Sequence, residues 1–342
     1  MSSTATGSPL EQLQHRTGRA FPALLAARDL TARRLAERAA LLGSLDVPAN
    51  ATVVLMGSWG RHELTRSSDD DYVVLVRGPA PNDGGWGPAH DTAAQVAERF
   101  ARDPGGFSAP GRQGVFAEVV YSSELMRVGL DDDTNTNLTR RMLLVLESVA
   151  ACHPDVLAGV RRDLIHDYLR DALRDHRPPR FLLNDLVRYW RTIGVDFVAK
   201  DRERRGEGWG LRNAKLRTSR KILFASGLLP VLRCHNVRAE QIGPFLAEQF
   251  ALPPTDRVAD AFLHAGTPNA GADALGAYDA FLALLDDDDA RAELRALDGR
   301  ASADASPCFR EAAELGGEIE RNLLSLLFGP QLGPVTQRYA VL

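Results

Sequence analysis

With 342 residues, the chain is long enough to bury a sizeable core and suggests two domains. Its composition, 44% hydrophobic and 25% charged, is that of an ordinary globular protein, and a formal charge of -4 argues against a strongly basic nucleic-acid binder while leaving room for a local basic groove. No apolar run approaches a membrane span, the opening "MSSTATGSPLEQLQHRTGRA" lacks the apolar core of a signal peptide, and Cys152, Cys234 and Cys308 are isolated. Reduced thiols, a cytoplasmic location and no membrane partner are the expectations.

In chain order, Pro22 to Leu45 carries leucines and alanines at helical spacing and predicts an amphipathic helix. "ATVVLMGS" predicts a short buried strand ending at Gly57-Ser58, and "DDDYVVLV" a second. A turn-rich loop follows, then a helix over "HDTAAQVAERFARD", a loop over "PGGFSAPGRQG" and a third strand over "VFAEVVYSS". Beyond about Ser123 the strand signals nearly vanish. "NLTRRMLLVLESVA", "DVLAGVRRDLIHDYLRDAL", "RFLLNDLVRYWRTIGVDFVAKD" and "LRNAKLRTSRKILFASGLL" all have helical periodicity. The rest also reads as helix, with loops around Pro253-Pro254 and Thr267 to Gly276. "DDDD" at 286–289 reads as a solvated loop or helix start. The fold class expected is α+β: a small mixed sheet within 1–125, preceded by a helix, then an all-helical domain over 126–342.

Chemistry concentrates in "GSWGRHELTRSSDDDYVVLV", residues 57–76. A glycine-serine pair directly after a strand lets backbone N–H groups approach a phosphate and offers it a hydroxyl donor. Asp69 and Asp71, two apart on a predicted strand, share a face and suit paired magnesium ions, which prefer oxygen ligands. Glu118, mid-strand on a face with Phe116 and Val120, needs a partner that a metal would supply. Glu124 is the alternative third carboxylate.

The spacing Gly-x-x-Gly-Arg-x-Glu followed by Ser-Asp-x-Asp, carried by Gly57, Gly60, Arg61, Glu63, Ser68, Asp69 and Asp71, resembles the DNA polymerase β superfamily of nucleotidyltransferases, and most of all its bacterial branch near the nitrogen-regulatory uridylyltransferases. The resemblance implies an enzyme that moves a nucleoside monophosphate from a nucleoside triphosphate to an acceptor, releasing pyrophosphate, with two Mg2+ or Mn2+ ions. It implies Asp69, Asp71 and Glu118 as catalytic metal ligands, Glu118 also helping to deprotonate the acceptor hydroxyl, and Ser58 with the amides near Gly57 as the phosphate cradle. Asp70 departs from the pattern, whose middle position is usually apolar; it is either exposed at a sheet edge or paired with an arginine. Arg61 serves phosphate binding or site structure, with Glu63 orienting it, and Ser68 belongs with the nucleotide-binding set.

Farther along, "LRNAKLRTSRKILF" places Arg217, Arg220 and Lys221 on one helix side, and two of the chain's three lysines, Lys215 and Lys221, fall here. The stretch is either a solvated helix face or a basic wall toward the triphosphate across an interdomain cleft. Asn184, Arg188 and Arg191 share a face in "NDLVRYWRT", whose Tyr189 and Trp190 fit a core better than a base-stacking platform. "DDDTNTNLTRR" reads as a helix entrance whose Arg140 and Arg141 could reach the cleft. A small molecule or a protein side chain is favoured as acceptor over a polynucleotide. A second-messenger synthase is an alternative within enzymes; outside them, the alternative is a non-catalytic nucleotide-binding regulator or an antitoxin-like partner.

Overall fold

The computed structural model describes residues 7–81, 87–103, 115–126, 133–170 and 173–341. Two helices open it, α1 (Pro9–Thr17) and α2 (Pro22–Leu42). A capping box starts α1: the Ser8 hydroxyl accepts from the Glu11 amide, and the Glu11 carboxylate accepts from the Ser8 amide at 2.7 Å. Gly18, at φ 67°, terminates it.

The chain divides into two compact units, one of residues 27–173 with 240–248, the other of residues 1–26, 174–239 and 249–342. This differs from a division at 125/126: the first 26 residues belong with the helices. Two acidic side chains from distant helices hold them there. Asp256 accepts from the Leu10 amide at 2.9 Å, and Asp279 from the Leu24 amide at 2.7 Å, so each satisfies a first-turn donor that its helix cannot.

The first unit holds β1 (Ala51–Met56), α3 (Ser58–Arg61), β2 (Tyr72–Val76), α4 (Pro88–Arg102), β3 (Val119–Tyr121), α5 (Ser122–Leu125), α6 (Asn135–Leu146), β4 (Ser148–Ala150) and α7 (Pro154–Leu169). The strands form one mixed sheet in the order β3-β2-β1-β4; β1 runs antiparallel to β2 and β4, and β2 parallel to β3. With so small a sheet among so many helices, the fold class is α+β, as expected. On one face Val53, Leu55, Tyr72, Val74 and Val76 pack with Val96 and Phe100 of α4 and with Leu30 and Leu35 of α2. Helix α7 packs on β1 and β4.

Three strand expectations need correction. The second strand begins at Tyr72, so Asp69 to Asp71 form its lead-in rather than its first residues, although the Asp71 carbonyl still accepts from the Met56 amide at 2.8 Å. The third covers only Val119–Tyr121, because Ala117 adopts φ 59° and breaks the extended run just before Glu118. β4 was hidden inside an apolar stretch that reads as helix throughout: α6 stops at Leu146, Glu147 turns the chain at φ -147°, ψ 57°, and three residues suffice to pair with β1. The expected loop over 104–114 lies outside the described residues.

In the second unit the helices are α8 (Arg180–Glu203), α9 (Trp209–Arg217), α10 (Ser219–Arg233), the ends of α11 (Ala239–Ala251), α12 (Pro254–His264), α13 (Pro268–Asp286), α14 (Asp288–Ala296), α15 (Arg300–Ala303), α16 (Pro307–Leu327) and α17 (Gly333–Thr336). The loop expected from Thr267 to Gly276 is instead the start of α13, entered through Pro268. The acidic run at 286–289 is a helix start, with the Asp287 side chain accepting from the Ala290 amide. Tyr189 is buried in the core, and Trp190, half-buried, stacks on Phe224 at 5.1 Å between centroids. All three cysteines are free thiols, and among the described residues no helix is long and apolar enough to cross a membrane.

Asp260 on α12 is the electrostatic centre of a helix junction, accepting from Arg233 at 2.5 Å and Gln249 at 3.1 Å, with His264 Nδ1 at 3.1 Å. Burial would raise its carboxyl, but the His264 hydrogen bond and the Arg233 guanidinium outweigh burial and hold it down at about 2. His264 is raised above its ordinary value, chiefly by its hydrogen bond to Asp260. A raised histidine contributes fully below its unfolded-state pKa and loses that contribution as pH climbs through the folded value. Urea-denaturation stability is expected to fall by under about 1 kcal/mol as pH rises above about 6.5, because the imidazole is largely exposed, and His264→Gln should flatten that slope. The Asp260 contribution runs the other way, present above about pH 4 and lost toward pH 2.

Candidate active site

The residues of the Gly57 to Asp71 stretch divide by burial. Gly57 leaves β1 at φ 65°, a left-handed conformation that favours glycine, and a Cβ placed there would stand 3.3 Å from Asp71 Oδ2. The turn therefore passes directly beside the Asp71 carboxylate. Ser58 follows at the first position of α3 and is half-buried, Asp71 is half-buried, and Asp69 is exposed. Alternation along the chain into β2 puts Asp71 with Val73 and Leu75, on the face opposite Asp70, Tyr72 and Val74.

Asp70 resolves its two sequence alternatives in favour of the arginine. It is buried, and Arg38 Nη2 of α2 donates to its Oδ2 at 2.8 Å while Nη1 of the same guanidinium donates to Asp103 at the end of α4. The Arg38 guanidinium also lies 4.7 Å from the Phe100 ring centroid. The middle aspartate thus belongs to the core between sheet and helices, and its neighbours are turned away from that core.

Gly60 and Arg61 have a different task. A Cβ on Gly60 would come within 2.0 Å of the Glu147 carbonyl carbon and 2.2 Å of the Ser148 nitrogen, so only a glycine lets α3 lie against the start of β4. Arg61 Nε donates to Glu63 Oε2 at 2.8 Å, and its Nη1 donates to Glu147 Oε2; both carboxylates are buried. Of the two roles open to Arg61, its contacts are those of site structure, and Glu63 orients it as expected. Glu147 was not singled out from the sequence. Its signal is a lone acid ending an apolar run, which periodicity alone does not separate from a helix terminus. Arg161 of α7 completes the joint by donating to the carbonyls of Leu144 and Ser148; burial pushes its guanidinium down to about 10. Ser68 closes a turn, its hydroxyl accepting from the Thr65 amide at 3.0 Å.

Glu118 is exposed and immediately precedes β3; its carbonyl accepts from the Val74 amide at 2.9 Å. Since Val119 pairs with Val74, Glu118 stands beside Val73 in register, two residues along from Asp71. Glu124 is half-buried on α5, its charge felt at the Tyr121 hydroxyl, which burial first and Glu124 second push up. Among the described residues no three His, Cys, Asp or Glu side chains gather closely enough to hold a metal ion.

The basic set lies in the other unit. The single helix expected over "LRNAKLRTSRKILF" breaks at Thr218 (φ -121°, ψ -87°), which puts Lys215 and Arg217 on α9 and Arg220 and Lys221 on α10. Arg217 donates to Asn213 at 2.7 Å, and Lys221 donates to Glu320 and to the Gly316 carbonyl of α16, so part of this set serves helix packing. Arg188 pairs with Asp185 at 2.8 Å. Arg141 is fully buried, bidentate to Asp133 at 2.7 and 2.8 Å and bonded to the Tyr168 hydroxyl, which is a structural role rather than a reach toward substrate.

Removing the guanidinium that faces Asp70 should be costly. Arg38→Ala is expected to lose roughly 3–5 kcal/mol in urea denaturation, and Arg38→Met combined with Asp70→Leu to recover most of it, since a buried ion pair can be replaced by apolar groups more cheaply than it can be broken. The two glycines should respond differently. Gly57→Ala pays only for its left-handed backbone, about 1–2 kcal/mol, whereas Gly60→Ala must displace backbone and is expected to lose about 3 kcal/mol or more by the same measurement.

No family model matches this chain, and no curated protein matches it, so the resemblance rests on the motif residues themselves.

Proposed function

We propose that the sheet unit is the catalytic head of a metal-dependent nucleotidyltransferase. The observation that carries this reading is the contact of the Gly57 turn with Asp71 Oδ2, 3.3 Å from where a glycine side chain would begin. A phosphate-accommodating turn and a hard oxygen donor stand side by side, and Asp69 lies exposed at the same strand mouth.

In chemical kind the candidate donors suit a magnesium or manganese ion, since Asp69, Asp71 and Glu118 offer carboxylate oxygens only. Asp69 and Asp71 would hold the metal, with Glu118 as the third carboxylate. Bound there, divalent ions supply charge neutralisation for the attacking and leaving oxygens of an in-line displacement. The chain's own residues do the rest. Gly57 presents backbone without a side chain to the triphosphate, and the Ser58 hydroxyl donates to a phosphate oxygen. Glu118 takes the proton from the acceptor hydroxyl as its oxygen bonds to the α-phosphorus, and the bond from that phosphorus to the pyrophosphate oxygen breaks. A small molecule or a protein side chain is the acceptor class we favour, with a nucleotide second messenger as the other product class.

The test uses α-labelled ATP, GTP, CTP and UTP with Mg2+ or Mn2+, with and without cell extract. Label should move to an acceptor in the wild type and fall by about a hundredfold or more in Asp69→Asn/Asp71→Asn, a loss of about 3 kcal/mol of transition-state stabilisation. Nucleotide binding without any transfer would replace the enzyme by the regulator reading.

A further inference from the structure

Glu147 lies 87 residues beyond Gly60 in sequence, yet it meets α3 twice: its carboxylate accepts from Arg61, and its own peptide group fills the space that a Cβ on Gly60 would need. Through these two contacts it fixes the position of a four-residue helix whose first residue follows Gly57. Helix α3 is too short to hold its place by its own hydrogen bonds; its return to the chain depends on the Arg61 amide donating to Gly57, His62 to Trp59 and Glu63 to Ser58. Both acids that hold Arg61 are buried, Glu63 within the same loop and Glu147 from the far side of the sheet unit's sequence. Only the second ties the turn to a separate element, the α6–β4 joint, which Arg161 in turn locks to α7.

We propose that Glu147 is a positioning residue for the phosphate-binding turn: acting through Arg61, it sets the distance between the Gly57-Ser58 backbone and the Asp71 carboxylate. This rests on the nucleotide reading of the turn. Glu147 meets α3 at Arg61 and at Gly60, so its effect on ligand affinity is transmitted by that helix. A displacement of the turn of a fraction of an ångström separates two groups that must grip one ligand together.

Two measurements on the full chain test it. Calorimetry with the α,β-methylene analogues of ATP, GTP, CTP and UTP, whose α-phosphate cannot be transferred, is run with Mg2+ on the wild type, Glu147→Ala, Glu147→Gln and Arg61→Lys. Glu147→Ala should raise Kd by about tenfold or more, the size seen when a supporting residue is removed from a site, while Glu147→Gln, which keeps an acceptor oxygen and the peptide against Gly60, should stay within about threefold. A merely destabilised protein would instead show fewer binding sites at unchanged Kd. Arg61→Lys, which cannot span both acids, should match Glu147→Ala, and the double variant should be no weaker than either, as for two residues acting through one contact. Unchanged Kd in both Glu147→Ala and Arg61→Lys overturns the proposal. If Glu147→Ala does not fold, Arg61→Lys decides alone. Hydrogen exchange is the second measurement: amides of 58–63 should lose protection in these variants while β1 and β2 keep theirs. Should the wild type bind none of the analogues, the nucleotide reading fails by itself; the exchange result then judges Glu147, and a turn that keeps its protection without it overturns its role.

Discussion

The buried pair of Arg38 and Asp70 is the constraint from which the geometry of the aspartate triplet follows. Three adjacent carboxylates cannot all face one environment, because successive residues of an extended chain point to opposite sides. Once Asp70 is committed to the guanidinium of Arg38 in the core, Asp69 and Asp71 are sent to the other face, and a slip of one residue would turn Tyr72, Val74 and Val76 out of the core. An apolar middle residue would give the same alternation by hydrophobic burial alone. The ion pair adds register: Arg38 is held by Asp103 as well and lies against Phe100, so the cation that receives Asp70 occupies one place only.

On the other side of the stretch, contact distance rather than charge is limiting. Gly60 is required because the backbone of α3 and that of Glu147-Ser148 share one space, and the ion pair from Arg61 to Glu147 closes over that contact. Arg161, reaching the carbonyls at the end of α6 and the start of β4, satisfies acceptors that the short β4 leaves over. The three-residue strand is thereby held by side chains from two helices as well as by its own ladder. The same economy appears in the helical unit, where Asp256 and Asp279 supply to α1 and α2 the acceptors that their first turns lack.

How much of this was legible in the sequence depends on the range of the interaction. β1, α2 and α4 were readable from periodicity, because their apolar positions repeat against one core. The ends of β2 and β3 were not, since Asp69 to Asp71 and the left-handed Ala117 depart from the strand for reasons of pairing that no local pattern records. β4 was invisible for the same cause: "ESVA" continues an apolar helical run, and only its partner β1 makes it a strand. In the motif proposed as the site, Gly57, Ser58, Asp69 and Asp71 are candidates by spacing alone, and the Arg61–Glu63 pair, also readable from spacing, is formed. Glu147 and Arg38 did not, because a contact between residues 86 or 32 positions apart is a property of the fold. The break at Thr218 shows the opposite error, in which unbroken helical periodicity spans two helices that turn between them.

Burial then sorts the motif by purpose. Gly60, Glu63 and Asp70 are buried and Arg61 nearly so, and each is accounted for by another part of the protein: a peptide group, an arginine, an opposing acid. Ser68 is accounted for by its turn. A residue with so complete a structural reason needs no ligand to explain it. Ser58 and Asp71 are half-buried and Asp69 is exposed, so this part of the motif is the part within reach of a ligand. An exposed acid and a half-buried one stand there beside a turn at which a Cβ on Gly57 would lie 3.3 Å from the Asp71 carboxylate. The functional reading proposed above rests on that placement, a glycine turn and an acidic side chain adjacent at the mouth of a strand.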